Sequence, residues 1–199
     1  MKKTKNNIDI AIIGLGCLFP KGPGLKEYWR LLFHGEDGIS DVPETHWLID
    51  DYFDEDQKKP DHVYCKRGGF LSAVSFDPTE FGIPPSSLEA TDTSQLLGLV
   101  VAEMALEDAG YGKHRDFNRN RTSVILGVTG TQELVIPLSS RMGYPIWRRA
   151  LKEESIAPQK IDKVIKRISE SYAPWQENSF PGLLGNVVSG RISNRLDLG

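Results

Sequence analysis

An α/β fold is the class this sequence predicts, and three features predict it. Residues 8–15 (IDIAIIGL) and 123–128 (SVILGV) are rich in β-branched side chains and almost free of polar alternation. Such runs read as parallel strands buried on both faces. Segments of helical spacing follow each run, as crossover connections require. The last twenty residues, 180–199 (FPGLLGNVVSGRISNRLDLG), read as a buried helix and a turn that should feed a further core strand.

Taken in order, residues 1–7 are a polar tail expected to fray. Residues 24–33 place Leu25, Tyr28, Trp29, Leu32 and Phe33 at helical spacing. The acidic, aromatic stretch 46–57 reads as an irregular surface loop. Residues 70–81 carry short extended pieces broken by Pro78, and Pro84-Pro85 opens a helix. Ser86 or Ser87 could cap it, although the capping-box spacing is only partly met. The longest expected helix spans residues 87–109, with Leu88, Leu96, Leu97, Leu99, Val100, Met104 and Leu106 on its apolar face and Gly110 as its stop. Residues 129–140 form a loop or short helix. Helices are expected at 144–152 and 158–172, the second built on Ile161, Val164, Ile165 and Ile168.

In the final helix, expected over 180–195, Gly185, Ser189 and Gly190 sit among Leu183, Leu184, Val187 and Val188. That composition suits a helix pressed against another backbone. Asn186, Arg191 and Asn194 are spaced to share one side of it. No internal repeat or low-complexity linker interrupts the chain, so one domain's worth of βαβ-like units is the simplest organisation.

Bulk properties narrow the function classes. The 199 residues are 39% hydrophobic and 26% charged, as in a soluble globular protein. A net charge of -3 offers no attraction to nucleic acid or an anionic membrane. No run approaches the roughly 18 apolar residues of a spanning helix. The basic start MKKTKNN before an apolar run evokes a signal peptide, but Asp9, Gly14 and Gly16 suit a strand and turn instead. Two cysteines without framework spacing fit a reducing cytoplasm.

Several motifs invite chemistry and fail its requirements. GLGCLF (residues 14–19) puts G-x-G after a strand, but Phe19 and Pro20 replace the third glycine and the helix start that a pyrophosphate needs. NAD binding is rejected. Cys65 has Lys66 and Arg67 beside it, whereas Cys17 reads as a small buried apolar group; neither is expected to be a nucleophile. His34, His46, His62 and His114 show no metal-binding spacing. The carboxylates Asp50, Asp51, Asp54, Glu55 and Asp56 read as solvated loop charge, because no calcium-loop pattern is met. The GVTGTQE segment (127–133) follows a predicted strand, where α/β proteins tend to place ligand contacts.

GNVVSGRISNRLDLG (185–199) is similar to the run that precedes the nucleophile cysteine in β-ketoacyl synthase domains of type I synthases. IDIAIIGLGCLFP (8–20), EYWRLLFHGEDGISDVPETHW (27–47), KRGGFL (66–71), FDPTEFGIPPSSLEATDTSQLLGL (76–99), AEMALEDAGY (102–111) and SVILGVTG (123–130) fall in the order of that family. ATDTSQLLGLV and PWQENSFPGLLGNVV lean toward iterative synthases of the polyunsaturated fatty acid and enediyne type. The resemblance covers residues 8–199 and implies a thiolase-like fold of two similar βαβαβ halves in five layers. This chain would supply most of the first half, stopping before the nucleophile elbow.

The activity so implied is decarboxylative Claisen condensation of an acyl thioester with a malonyl extender. An elbow cysteine and two histidines carry it, all three beyond Gly199, so the fragment alone is expected to be inactive. The implied partners are an acyl carrier protein bearing phosphopantetheine and a second ketosynthase protomer in a homodimer. The chain itself is expected to bind no cofactor and no metal. Thr129, Thr131, Gln132 and Asn186 are the candidates for the acyl tunnel or subunit interface. A non-catalytic remnant or interaction module, pairing with ketosynthase surfaces, is the alternative.

Overall fold

The computed structural model describes residues 9–112, 115–130 and 133–199, and these divide into two compact units. One contains the described residues up to Ser75 together with Glu103–Asp116; the other contains Phe76–Ala102 and Phe117–Gly199.

In the first unit, the chain turns tightly at Phe19 and Gly22, whose backbones exchange two hydrogen bonds of 2.9 Å. Helix α1 (Leu25–His34) follows, burying Leu31 and stacking Tyr28 on Phe19 at 4.2 Å between ring centroids. Strands β1 (Ser40–Asp41) and β2 (Arg67–Gly68) pair antiparallel over two residues each. The acidic stretch contains one helical turn, α2 (Ile49–Tyr52), and then closes on itself: Lys59 donates to Asp54 at 2.5 Å. That bond, with a second from the Asp56 amide, holds the Asp54 carboxyl below the usual carboxylate range. Asp54 and Asp56 are accordingly loop charges with local partners, while Asp50 and Asp51 lie exposed on α2.

The expected strand at 8–15 is corrected. Its described residues form neither helix nor strand, and Ile10 is 91% exposed. A parallel strand needs ladder partners on both sides, and among the described residues the only sheet is the β1–β2 pair. Residues 14 and 15 lie instead along the end of helix α3 (Thr93–Asp108). The Leu15 amide donates to the Asp108 carboxylate at 2.9 Å, and a Cβ on Gly14 would stand 2.4 Å from the Ala105 carbonyl oxygen. Gly110 closes α3 at φ +73°, with the Tyr111 amide bonded to Leu106 O at 2.7 Å and its own amide to Glu107 O at 2.8 Å. Only glycine takes that backbone without strain.

The second unit is mostly helical. A 3-10 turn (Pro85–Ala90) leads into α3, and a second (Arg119–Arg121) precedes α4 (Val135–Arg141), α5 (Tyr144–Glu153) and α6 (Pro158–Glu170). The chain ends through α7 (Ser179–Leu183) and α8 (Val187–Arg195). Phe81, Ile83, Leu99, Val188 and Ile192 form the core, and Phe76 stacks on Phe81 at 5.2 Å. Each such aliphatic side chain contributes about 1.5–3 kcal/mol by leaving water. Helix α8 approaches α3 at Gly98, where a Cβ would stand 3.1 Å from Val188 Cγ1.

Three expectations change here. Residues 123–128 are not a strand: only Val124 packs on the core, while Ile125 is 95%, Leu126 43% and Val128 37% exposed, so the run is not buried. The helix expected over 87–109 is two elements, separated where Thr91 is extended (φ -124°, ψ 122°). Asp92 then restarts it, accepting from the Ser94 amide at 3.0 Å as an N-cap residue does. The helix expected over 180–195 also breaks, at extended Leu184 (φ -88°, ψ 120°). Gly190, expected to press on a backbone, meets nothing within 4 Å; the glycine that does so is Gly182.

Candidate functional site

The break in each helix creates polar backbone that must be paired inside the fold, and the second unit pairs it through a few side chains. Gln95 is fully buried at 0% exposure. Its amide nitrogen donates to the carbonyls of Pro181 (2.9 Å), Gly182 (2.8 Å) and Leu184 (3.2 Å), at the interruption between α7 and α8. Its Oε1 accepts from Arg191 Nε at 2.7 Å. Burial lowers the basicity of the Arg191 guanidinium below its ordinary value, and the charge of Arg195 adds to the effect.

Asp92 is buried beside it. One carboxylate oxygen takes the Ser94 amide and hydroxyl (3.0 and 2.6 Å), and the other takes the Leu134 amide at 3.2 Å. The Asp92 amide donates to Gly182 O at 2.9 Å. Thr91 donates its hydroxyl to Ser87 O at 2.8 Å, and the Ser87 hydroxyl accepts from Asn178 at 3.0 Å. Both carboxylate oxygens of Asp92 therefore accept hydrogen bonds that hold the local structure.

Next to this network opens a cavity of about 460 Å³. Thr91, Asp92 and Thr93 form one wall, Glu133, Leu134 and Pro137 another, and Ser171, Tyr172 and Ala173 a third, with Leu88 and Glu89 completing the lining. Among the described residues the lining holds no cysteine, histidine or basic side chain, so these residues can contact a ligand but supply no thiolate or imidazole for acyl transfer. Among the described residues, no group of three or more His, Cys, Asp or Glu side chains is placed to hold a metal.

The residues expected at the site are scattered. Thr129 is exposed in the segment after 123–128, and Asn186 is exposed at the N-cap of α8 without a side-chain cap bond. Neither lines the cavity. Thr131 and Gln132 lie outside the described residues. Glu133, at the end of the same GVTGTQE segment, does reach the cavity. Asn186, Arg191 and Asn194 do not share a face, because Asn186 precedes the helix and Arg191 turns inward to Gln95 while Asn194 is exposed. Sequence reasoning missed the Asp92–Gln95–Arg191 network. The signal was present: ATDTSQ inserts polar residues into an apolar helical run, and buried polar groups need dedicated partners.

The two thiols differ sharply. Burial, and secondarily the Glu27 carboxylate, raises the Cys17 thiol above its ordinary value, so little thiolate forms near neutral pH. Cys65 is exposed, its thiol donating to Arg67 O at 3.3 Å. Iodoacetamide at about pH 7.5 is expected to alkylate Cys65 at least several-fold faster than Cys17, with Cys17 gaining as pH rises. Peptide mass spectrometry over a time course reads both rates; equal rates would contradict the assignment.

Comparison with known proteins places this architecture. The profile of the family "Beta-ketoacyl synthase, N-terminal domain" matches residues 7–199. A polyunsaturated fatty acid synthase polypeptide of a Thraustochytrium species is 33% identical over 189 residues, 95% of this chain and 7% of that protein. Polyketide synthase PksL of Bacillus subtilis is 37% identical over 124 residues, 62% of this chain and 3% of that one. The solved oxazolomycin ketosynthase domain OzmH KS7 from Streptomyces albus JA3453 superposes with a TM-score of 0.55 at 22% identity. That likeness covers 94% of this chain and 27% of the ketosynthase, and it shows the thiolase-like fold. The chain thus spans less than a tenth of these curated relatives.

Proposed function

Because the chain belongs to the β-ketoacyl synthase family through its N-terminal domain, we propose that it is the N-terminal portion of a condensing domain, residues 8–199, in a fatty acid or polyketide synthase. The reaction proposed for the whole domain joins an acyl thioester to a malonyl extender with loss of carbon dioxide. The observation that carries it is the 33% identity to a polyunsaturated fatty acid synthase over 95% of this chain.

On this reading the chain contributes scaffold, not nucleophile. Cys17 is kept as a thiol, and Cys65 sits on an open loop with no helix N-terminus behind it. The acyl groups arrive on the phosphopantetheine arm of a carrier protein, which is substrate delivery rather than a resident cofactor. A homodimer of the complete domain and a reducing cytoplasmic location belong to the same proposal; two unpaired thiols support the latter. Thr129, Thr131, Gln132 and Asn186 remain proposed contacts to the acyl tunnel or subunit interface.

The test is an assay of the complete reading frame with acyl and malonyl thioesters, beside the 199-residue chain. Condensation by the former and none by the latter is expected. Absence of product from the complete protein, shown folded, would overturn the enzymatic reading. It would leave the alternative of a non-catalytic module that pairs with ketosynthase surfaces. That alternative draws its support from the exposed apolar residues of 10–15 and 125–128.

A further inference from the structure

The loop between α1 and β1 (GEDGI, residues 35–39) holds the one Asp-Gly pair of a sequence that has no Asn-Gly pair. A glycine after aspartate leaves its amide nitrogen uncrowded by a Cβ and free to swing toward the carboxyl carbon. Asp37 is exposed, and its Oδ1 accepts from the Ile39 amide at 2.8 Å. That Asx turn folds the carboxyl back along the Gly38 peptide and polarises it. Among the described residues the Gly38 amide donates to no acceptor, so its nitrogen can move without breaking a hydrogen bond.

Lys21 reaches the same peptide from the turn before α1. Its backbone sits at φ +59°, inside the turn closed by the paired Phe19 and Gly22 bonds. Its ammonium donates to Asp37 O at 2.8 Å. That oxygen belongs to the Asp37–Gly38 peptide. When the Gly38 nitrogen loses its proton, the negative charge spreads onto it. A cation already bonded there stabilises the charge as an oxyanion donor does.

We propose that Asp37 is a self-modifying site that passes through a succinimide with Gly38 to isoaspartate, with Lys21 as the group that promotes the reaction. In the first step the Gly38 nitrogen attacks Asp37 Cγ. The N–Cγ bond forms, the bond from Cγ to its hydroxyl breaks, and the amide proton leaves with that hydroxyl as water. In the second step water adds to the main-chain carbonyl carbon of Asp37, and that carbon's bond to the Gly38 nitrogen breaks. The chain then runs through Cγ, one methylene longer, and the former main-chain carbonyl is a free carboxylate. Lys21 ends facing a carboxylate where it had faced a neutral carbonyl, an ion pair that favours this opening over return to aspartate. The added methylene lengthens the connection into β1, whose Ser40 pairs with Gly68.

The test ages the complete protein containing this chain near neutral pH for several weeks. Peptide mass spectrometry with electron-transfer fragmentation then reads residue 37, and labelling by an isoaspartyl methyltransferase counts the product independently. Isoaspartate should accumulate at residue 37 in the parent and be absent there in Asp37→Glu, whose longer side chain does not close the five-membered ring. Lys21→Met should slow the reaction about 10-fold, less than loss of a donor from a water-excluded site, because this lysine is exposed. Lys21→Arg should keep most of the parent's rate, and in urea the parent and both Lys21 variants should age alike. Gly38→Ala should also slow it; its Cβ would stand 3.4 Å from Pro20 O, a contact the loop can absorb. No isoaspartate at residue 37 of the folded parent overturns the proposal. A Lys21→Met rate equal to the parent's overturns it as well, because the reaction would then owe nothing to the fold.

Discussion

Gly182→Ala is expected to disrupt the second unit more than any other single-methyl change in this chain. A Cβ at Gly182 would lie 1.6 Å from the carbonyl oxygen of Ala90 and 3.1 Å from Thr91 Cα. Both obstacles are backbone, so no side chain can rotate aside. Relief requires α7 to withdraw from the Ala90–Asp92 segment, and that breaks the Asp92 amide bond to Gly182 O and stretches the Gln95 bond to the same carbonyl. Overpacking together with lost buried hydrogen bonds puts the loss at about 4 kcal/mol. Gly190→Ala is the matched control. It is exposed inside α8 with nothing within 4 Å, so alanine should stabilise the helix by about 0.5–1 kcal/mol. Urea unfolding of both variants reads the contrast. A Gly182→Ala chain with the parent's midpoint would show that α7 does not sit on Ala90.

Gln95→Leu should come second. The substitution keeps the volume and removes a donor shared by three carbonyls, together with the acceptor for Arg191. Buried acceptors left bare and a partly buried guanidinium left unpaired cost about 3 kcal/mol together. Arg191→Met should cost less, because the Gln95 amide still satisfies the carbonyls of Pro181, Gly182 and Leu184 and only Gln95 Oε1 loses its donor. A double-mutant cycle between the two positions is expected to give a coupling of about 1–3 kcal/mol. Coupling near zero, with Gln95→Leu losing under about 1 kcal/mol, would mean the carbonyls find other donors and the network is not a unit.

Much of this molecule is legible from local pattern. Helices α1, α5 and α6 appear within one or two residues of their expected ends, because each carries a strong 3.6-residue apolar period bounded by Gly, Pro or a polar turn. Gly110 is legible as a stop for the same reason. Family membership is legible as well, since seven motifs in fixed order survive whatever each segment does in space. The cavity is less legible: Thr91, Asp92 and Glu133 line it together only because the chain folds back on itself, whereas Thr129 and Asn186, proposed for the acyl tunnel or subunit interface, lie outside it.

By itself, then, the sequence determined the helices with one apolar face, the stop at Gly110, and the family. Only the tertiary structure decided where long helical runs would break and which polar residues would be buried. An apolar period such as residues 87–109 or 180–195 states that a segment can be helical, through contacts within four residues. Whether it continues through Thr91 or Leu184 depends on a neighbour some ninety residues away. Gly182 and Ala90 come together only after the chain has folded back, and Gln95 then supplies the hydrogen bonds that an unbroken helix would have made for itself.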